Sequence, residues 1–195
     1  MSIQIITLNV NGLLDKKKRN LVFNWLANKR YDLICLQETH CTVNDIMQWQ
    51  NEWKINGGNK SVWNCGTSDS RGVSILQTKN CSGEVVFDNT SSQNGRIIKC
   101  SIKTESAIYH ISNIYANNSG IERKRLFDDS VDHYNILVGD FNCTLDKTID
   151  RNPSHSRDDI GTKELLFLLS QYDLTDIWRD RYPKDKRYTF SERKF

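Results

Sequence analysis

The sequence predicts an α+β fold in which two packed sheets are covered by helices. Three observations carry that prediction. Short runs rich in Ile and Val, bounded by Gly, Asn or Asp, recur along the chain. Longer stretches with helical apolar spacing fall among them. The two kinds do not alternate strictly, which favours two sheets under helices.

The strands come first. "IQIITL" (3–8), "LICLQ" (33–37), "GVSIL" (72–76), "EVVF" (84–87), "RIIKCSI" (96–102), "YHISNIY" (109–115) and "NILVGDF" (135–141) all have strand character. Three stretches read as helices. In 17–29, Leu21, Val22, Trp25 and Leu26 share one face; 120–134 is more polar; 161–174 has Leu165, Leu166, Leu168 and Leu169 to bury, with Thr162 as N-cap. Asn-rich stretches at 88–95 and 113–119 read as loops, because Asn and Gly tolerate turn conformations.

Bulk properties narrow the function. The chain has 195 residues, enough for one domain with a sizeable core. Its apolar runs fall short of the roughly 20 residues a membrane helix needs. The N-terminus enters a strand pattern without the flank of a signal peptide. An intracellular protein with no membrane partner is expected. Six cysteines show no C-x-x-C pair and no zinc-type cluster, so free buried thiols are expected and "NTS" at 89–91 is a chance match to a glycosylation triplet. The net charge of +3 is compatible with a polyanionic partner.

Four predicted strands end on polar residues. Asn9 and Asn11 follow the first, Glu38 the second, Tyr115 and Asn118 lie at the end of "NIYANN", and Asp140 and Asn142 close "LVGDFN". Each alone reads as a turn cap. Together, on one edge, they would form a cleft with two carboxylates, several amides and a phenol. Hard Mg²⁺ takes such oxygen donors and keeps several waters. An aspartate can deprotonate a water for attack on a phosphodiester, while the cation offsets charge on the phosphoryl oxygens.

The segments "LNVNGL", "DLICLQETH", "GVSIL", "GRIIK", "NIYANN", "VGDFN", "DLTDIWRDRYP" and "RYTF" appear in that order. The series resembles the endonuclease domain of LINE-type (non-LTR) retrotransposons. That domain sits in the superfamily of exonuclease III, apurinic endonucleases, deoxyribonuclease I and inositol phosphate phosphatases. The resemblance implies one domain over 1–195, a four-layer α/β/β/α sandwich of two packed mixed sheets with its last strands missing. It implies Mg²⁺, or Mn²⁺ in its place, with Glu38 as the main ligand and Asn9 helping to hold the metal or the attacked phosphate. Asp140 orients or deprotonates the attacking water with Asn142 beside it; Tyr115, Asn11 and Asn118 contact the substrate; Thr189 lies near the DNA strand. The implied activity is nicking of double-stranded DNA to start target-primed reverse transcription, in the nucleus, by a protein fused to a reverse transcriptase. Repair of apurinic sites, or a catalytically dead nucleic-acid-binding remnant, are the alternatives.

The chain departs from that pattern in two places. Asn117 replaces the usual proline of the "YAPN" segment. The Ser-Asp-His segment that supplies the catalytic histidine in relatives does not appear before Phe195. "VDH" at 131–133 is a poor substitute, and His40 reads as structural. The 195 residues alone are therefore expected to be poorly folded and nearly inactive, since a lost acid/base group costs on the order of 10²–10⁴ in rate. Backbone phosphates need cations. Arg96, Arg123, Lys124, Arg125 and Arg151 are the candidates, whereas the Lys16–Arg19 run reads as a solvated helix face. Five tryptophans are candidate base stackers, with Trp25 and Trp178 expected in the core instead.

Overall fold

The computed structural model describes residues 2–88, 95–129, 135–151 and 160–189. "NTS" at 89–91, most of the 88–95 loop, the end of the 120–134 stretch with "VDH", and His155 lie outside the described residues. The chain divides into two compact units, Met1–Ala116 with Tyr134–Asp140, and Asn117–His133 with Phe141–Phe195.

The first unit holds two four-stranded mixed sheets. One contains β1 (Ile5–Asn9), β2 (Leu33–Gln37), β3 (Gly58–Asn64) and β4 (Val73–Thr78), in the order β1-β2-β4-β3. The other contains β5 (Glu84–Asp88), β6 (Ile97–Lys103), β7 (Ile108–Tyr115) and β8 (Ile136–Asp140), in that order. Each sheet has one parallel pair, β1 with β2 and β7 with β8; the other pairs are antiparallel. Parallel neighbours end on the same edge, so the polar residues after them share that edge.

Every residue of β2 and β4 is buried; β2 reads as a near-continuous apolar run, while β4 also buries the polar Ser74, Gln77 and Thr78. One face, with Leu33, Cys35, Val73 and Ile75, packs on Ile98, Cys100, Ile102 and Ile111 of the second sheet. The other, with Ile34, Leu36 and Leu76, packs under two helices, α1 (Lys16–Ala27) and α2 (Ile46–Ile55). Asp15 caps α1, its Oδ1 accepting from Lys18 N at 2.6 Å.

The helices differ from expectation. α1 buries Arg19, Phe23 and Leu26, while Leu21 is 72% and Trp25 47% exposed. Trp25 is therefore not a core residue; the Lys29 ammonium lies 5.3 Å from its ring centroid. The Lys16–Arg19 run is not a wholly solvated face. Arg19 is buried because its guanidinium is satisfied: Nε donates to Glu52 Oε2 (2.6 Å), Nη1 to the Leu13 and Leu14 carbonyls, and its plane stacks on Trp49. α2 and β3 were not anticipated. Trp49, Trp53 and Trp63 are buried core residues and do not stack on bases. Gly58 is required beneath Trp53, because a Cβ there would lie 2.0 Å from the indole. The loop read at 113–119 begins later than expected, since β7 runs on through Tyr115.

The second unit contains α3 (Gly120–Asp129), α4 (Thr162–Gln171) and α5 (Ile177–Arg181). Lys124 of α3 pairs with Glu164 of α4 at 2.6 Å, an exposed contact worth little. α4 buries Leu165 and Leu168, but Leu166 is 47% exposed. Its N-cap is Gly161; the Thr162 hydroxyl instead donates to the Thr144 carbonyl, 3.0 Å. Trp178 is half-buried against Tyr182, ring centroids 4.5 Å apart.

Candidate active site

β1 and β2 pair in register up to Asn9 against Gln37, and β7 and β8 up to Tyr115 against Asp140. The first pair therefore presents Asn9 and Glu38 at its ends, and the second presents Tyr115 and Asp140. Two side-chain hydrogen bonds join these ends across the sheets. Asn9 Nδ2 donates to Asp140 Oδ2 at 2.9 Å. The Tyr115 hydroxyl donates to Glu38 Oε1. Asn9 Oδ1 in turn accepts from Asn11 N at 3.0 Å, which fixes the amide's orientation.

The backbone around these residues is held in unusual conformations. Asn11 (φ 46°), Glu38 (φ 51°) and His40 (φ 58°) all lie in the left-handed region. For Asn this is tolerable; for Glu and His it costs about 1–3 kcal/mol each and must be held by surroundings. The holding bonds are visible. Gly12 N donates to the Glu38 carbonyl (2.7 Å), Leu13 N to that of Thr39 (3.0 Å), Thr39 N to that of Gly72 (3.0 Å) and His40 N to that of Arg71 (2.8 Å). Lys18 reaches back from α1 to donate to the Val10 and Asn11 carbonyls, 2.7 and 2.8 Å. On the second sheet Gly139 has φ 137°, and a Cβ there would lie 1.9 Å from the Ile114 carbonyl oxygen. Only glycine fits immediately before Asp140.

Tyr115 remains a neutral phenol over a wide pH range. Burial pushes its pKa up, as do the hydrogen bond and charge of Glu38; the Arg96 guanidinium, 4.7 Å above the ring, opposes them. Arg96 Nη1 also donates to the carbonyls of Tyr115 and Ala116, both at 3.4 Å.

Beside Asn9, on its register partner Gln37, begins a buried polar pair that sequence reasoning missed. Gln37 Nε2 donates to Asn113 Oδ1 (2.6 Å), Thr7 Oγ1 (2.9 Å) and the Cys35 carbonyl (3.1 Å). Asn113 Nδ2 donates to the carbonyls of Leu36 (2.9 Å) and Ser74 (3.0 Å). The available signal was an asparagine inside the apolar run "ISNIY".

The remaining candidates belong to the second unit. Asn142 has φ 49° and is half-buried. Asn118 is exposed, and its carbonyl, like that of Asn117, accepts from Arg123 Nη1 (2.9 and 2.6 Å). Arg123 is 3% exposed, so its guanidinium serves this turn internally. Arg125 and Thr189 are exposed, and Arg151 Nε donates to Thr144 Oγ1 at 3.1 Å.

The rim offers only oxygen donors: the carboxylates of Glu38 and Asp140 and the amide of Asn9. That set fits a hard divalent cation that retains waters, and it does not fit zinc. Among the described residues no group of three or more His, Cys, Asp and Glu side chains gathers to encage an ion. Glu38, with Asn9, would therefore hold it largely through water.

Two sheets whose parallel strands end together on carboxylates and amides present the oxygen donors that chemistry on a phosphate ester needs. The profile of the endonuclease/exonuclease/phosphatase family matches residues 6–191, and the chain belongs to that family. It is 32% identical over 198 residues, 97% of its own length, to the transposon TX1 uncharacterized 149 kDa protein of Xenopus laevis, and it spans 15% of that protein. Among solved structures it resembles an AP endonuclease from Archaeoglobus fulgidus (TM-score 0.75, 19% identity, all of this chain and 80% of that one). It also resembles the endonuclease domain of TRAS1, a telomere-specific non-LTR retrotransposon (TM-score 0.56, 12% identity, 87% and 72%). The 3'-5' exonuclease NExo from Neisseria meningitidis is a further structural neighbour (0.69, 21%, 98% and 79%). At these identities the structural likenesses show the fold alone.

Proposed function

We propose that the chain is a Mg²⁺-dependent endonuclease that nicks one strand of double-stranded DNA in the nucleus. In a longer transposon protein carrying a reverse transcriptase, the nick would prime reverse transcription. The observation that carries the cleavage reading is the crossed pair of hydrogen bonds, Asn9 to Asp140 and Tyr115 to Glu38, at one edge of both sheets. The transposon setting rests on the identity to the TX1 protein.

In this reading Asp140 accepts the proton of the attacking water. Asn9 holds the Asp140 carboxylate in place, and its own orientation is set by Asn11 N. Tyr115, kept protonated, donates to Glu38 at rest and to a phosphoryl oxygen when substrate arrives. Arg96 supports the Tyr115 ring and balances the two carboxylates. A divalent cation, when bound, offsets the charge that builds on the phosphoryl oxygens. For Asn118, Asn142, Arg125, Arg151 and Thr189 the support is their place in the family segments. They are assigned to substrate contact, with Asn142 assigned to the attacking water.

The test is nicking of supercoiled plasmid by the 195-residue chain and by the product of its full reading frame. We expect Mg²⁺-dependent relaxation by the full product that Glu38→Ala abolishes. DNA binding without turnover across a Mg²⁺ titration would replace the enzyme with a binding module. Faster cleavage at an abasic site than in intact duplex would favour repair. Arg125→Ala should weaken DNA binding and flatten log K against log salt by roughly one unit; an unchanged slope removes Arg125 from the interface.

A further inference from the structure

Five of the six cysteines sit in or against the two cores of the first unit, and two of them face each other outside the nuclease reading. Cys41 Sγ lies 2.8 Å from Cys65 Sγ, bridging 24 residues of sequence. That separation is well inside ordinary sulfur–sulfur contact and needs less than an ångström to reach the roughly 2.05 Å of a disulfide. The backbone already brings the two segments together, since Gly66 N donates to the Cys41 carbonyl at 3.1 Å. Cys41 is fully buried, whereas Cys65 is half-buried and reachable from solvent. Cys41 also follows directly on the segment held by the Thr39–Gly72 and His40–Arg71 bonds, three residues past Glu38.

We propose that Cys41 and Cys65 are an oxidative modification site, converted to an intramolecular disulfide by a low-molecular-weight disulfide such as oxidised glutathione. Cys65 loses its proton to solvent and its thiolate attacks one glutathione sulfur, while Cys41 keeps its own proton as the donor of the shared hydrogen bond. The first glutathione leaves as thiolate. Cys41 then loses its proton to solvent and attacks the Cys65 sulfur of the mixed disulfide, expelling the second glutathione. Two cysteine thiols are oxidised by two electrons, one glutathione disulfide is reduced, and two protons end on two glutathione thiols. Access sets this order, because Cys65 is half-buried and Cys41 is fully buried. Cys65 holds the Cys41 thiol below its ordinary pKa, by hydrogen bonding, against the opposing effect of burial; Cys65 is correspondingly raised. The other thiols of this unit are different. Burial pushes Cys35 and Cys81 up and takes Cys100 to about 12.

The closed loop would span α2 and β3 and pin the end of the Glu38 segment to β3. The experiment treats the folded chain with oxidised glutathione, alkylates the remaining thiols after denaturation, digests, and maps the peptides by mass spectrometry. We expect a reducible peptide pair linking Cys41 to Cys65, with the other four cysteines alkylated. Closing a loop of this size should raise the melting temperature by about 5–10 °C, a rise absent in Cys65→Ala. Six alkylated thiols, a stable glutathione adduct on Cys65, or a linkage between any other pair overturns the proposal. The peptide map needs only the wild-type chain, so it decides the matter even if Cys65→Ala folds poorly. No DNA is involved, so the result stands apart from the nuclease reading.

Discussion

The same two sheets are joined twice by polar side chains, once in a more exposed outer row and once in a buried inner row, and the two rows are built differently. At the rim, Asn9 meets Asp140 and Tyr115 meets Glu38, with carboxylates as the acceptors. In the buried row Gln37, the register partner of Asn9, meets Asn113, and the partners are amides, a hydroxyl and backbone carbonyls. Asn9 is exposed and Asp140 half-buried, whereas Gln37 and Asn113 are 1% and 0% exposed. A carboxylate in the inner row would carry a desolvation cost with no cation to offset it. Neutral amides there carry no charge to desolvate, and their hydrogen bonds tie one sheet to the other. The outer row keeps water, charge and spare lone pairs, which is what proton transfer and cation binding require.

If that division is right, substitutions in the two rows should separate rate from stability. Asp140→Asn is the sharpest case. It keeps the shape of the rim and removes the base, so nicking by the active protein should fall by about 10²–10⁴. Its unfolding free energy in urea should change by no more than about 1 kcal/mol, because an exposed hydrogen bond contributes little net stability. A large loss of stability with partial activity would mean that the rim is structural.

Asn113→Leu should do the reverse. It leaves the Leu36 and Ser74 carbonyls buried without their donor and takes an acceptor from Gln37. The cost should be about 2–4 kcal/mol in urea unfolding. The double variant Gln37→Leu with Asn113→Leu should recover part of it, since removing both partners costs less than stranding one. Additive losses would show that the two amides do not act as a pair.

How far this was legible differs between the rows. The strand 33–37 could be read as it stands, and the other predicted strands shift by only one or two residues at an end, because their Ile- and Val-rich runs are unambiguous. The strand tips bearing Asn9, Glu38, Tyr115 and Asp140 could be listed from the chain. Which tip bonds to which could not, because that depends on how one sheet lies over the other. The inner row was hidden for a related reason: Gln37 and Asn113 are polar letters in apolar runs, and only sheet-on-sheet packing supplies their partners. α2 carries a helical signal, with Ile46, Trp49 and Trp53 at spacings of three and four, and that spacing turns the two indoles into the core rather than towards bases. Arg19 and Lys18 were missed because a run of cations reads as solvated, while here one guanidinium and one ammonium are spent on carbonyls.

The smallest expected effect tests whether the rim also has a stabilising side. The pKa of Tyr115 is raised in the folded chain above the phenol's ordinary value near 10, first by burial and then by Glu38. A raised pKa means that folding favours the protonated form. The associated stability is therefore complete below pH about 10 and is lost as pH climbs beyond it. Tyr115→Phe removes this ionisation together with the hydrogen bond to Glu38. Above pH 10 the unfolding free energy of the wild type should fall more steeply than that of Tyr115→Phe, and the two curves should run parallel between pH 7 and 9. Parallel curves throughout the alkaline range would mean that the phenol ionises as readily in the folded chain as in the unfolded one. Burial and the Glu38 carboxylate would then not favour the phenol over its anion, and the Tyr115–Glu38 hydrogen bond would add nothing to the stability of the rim.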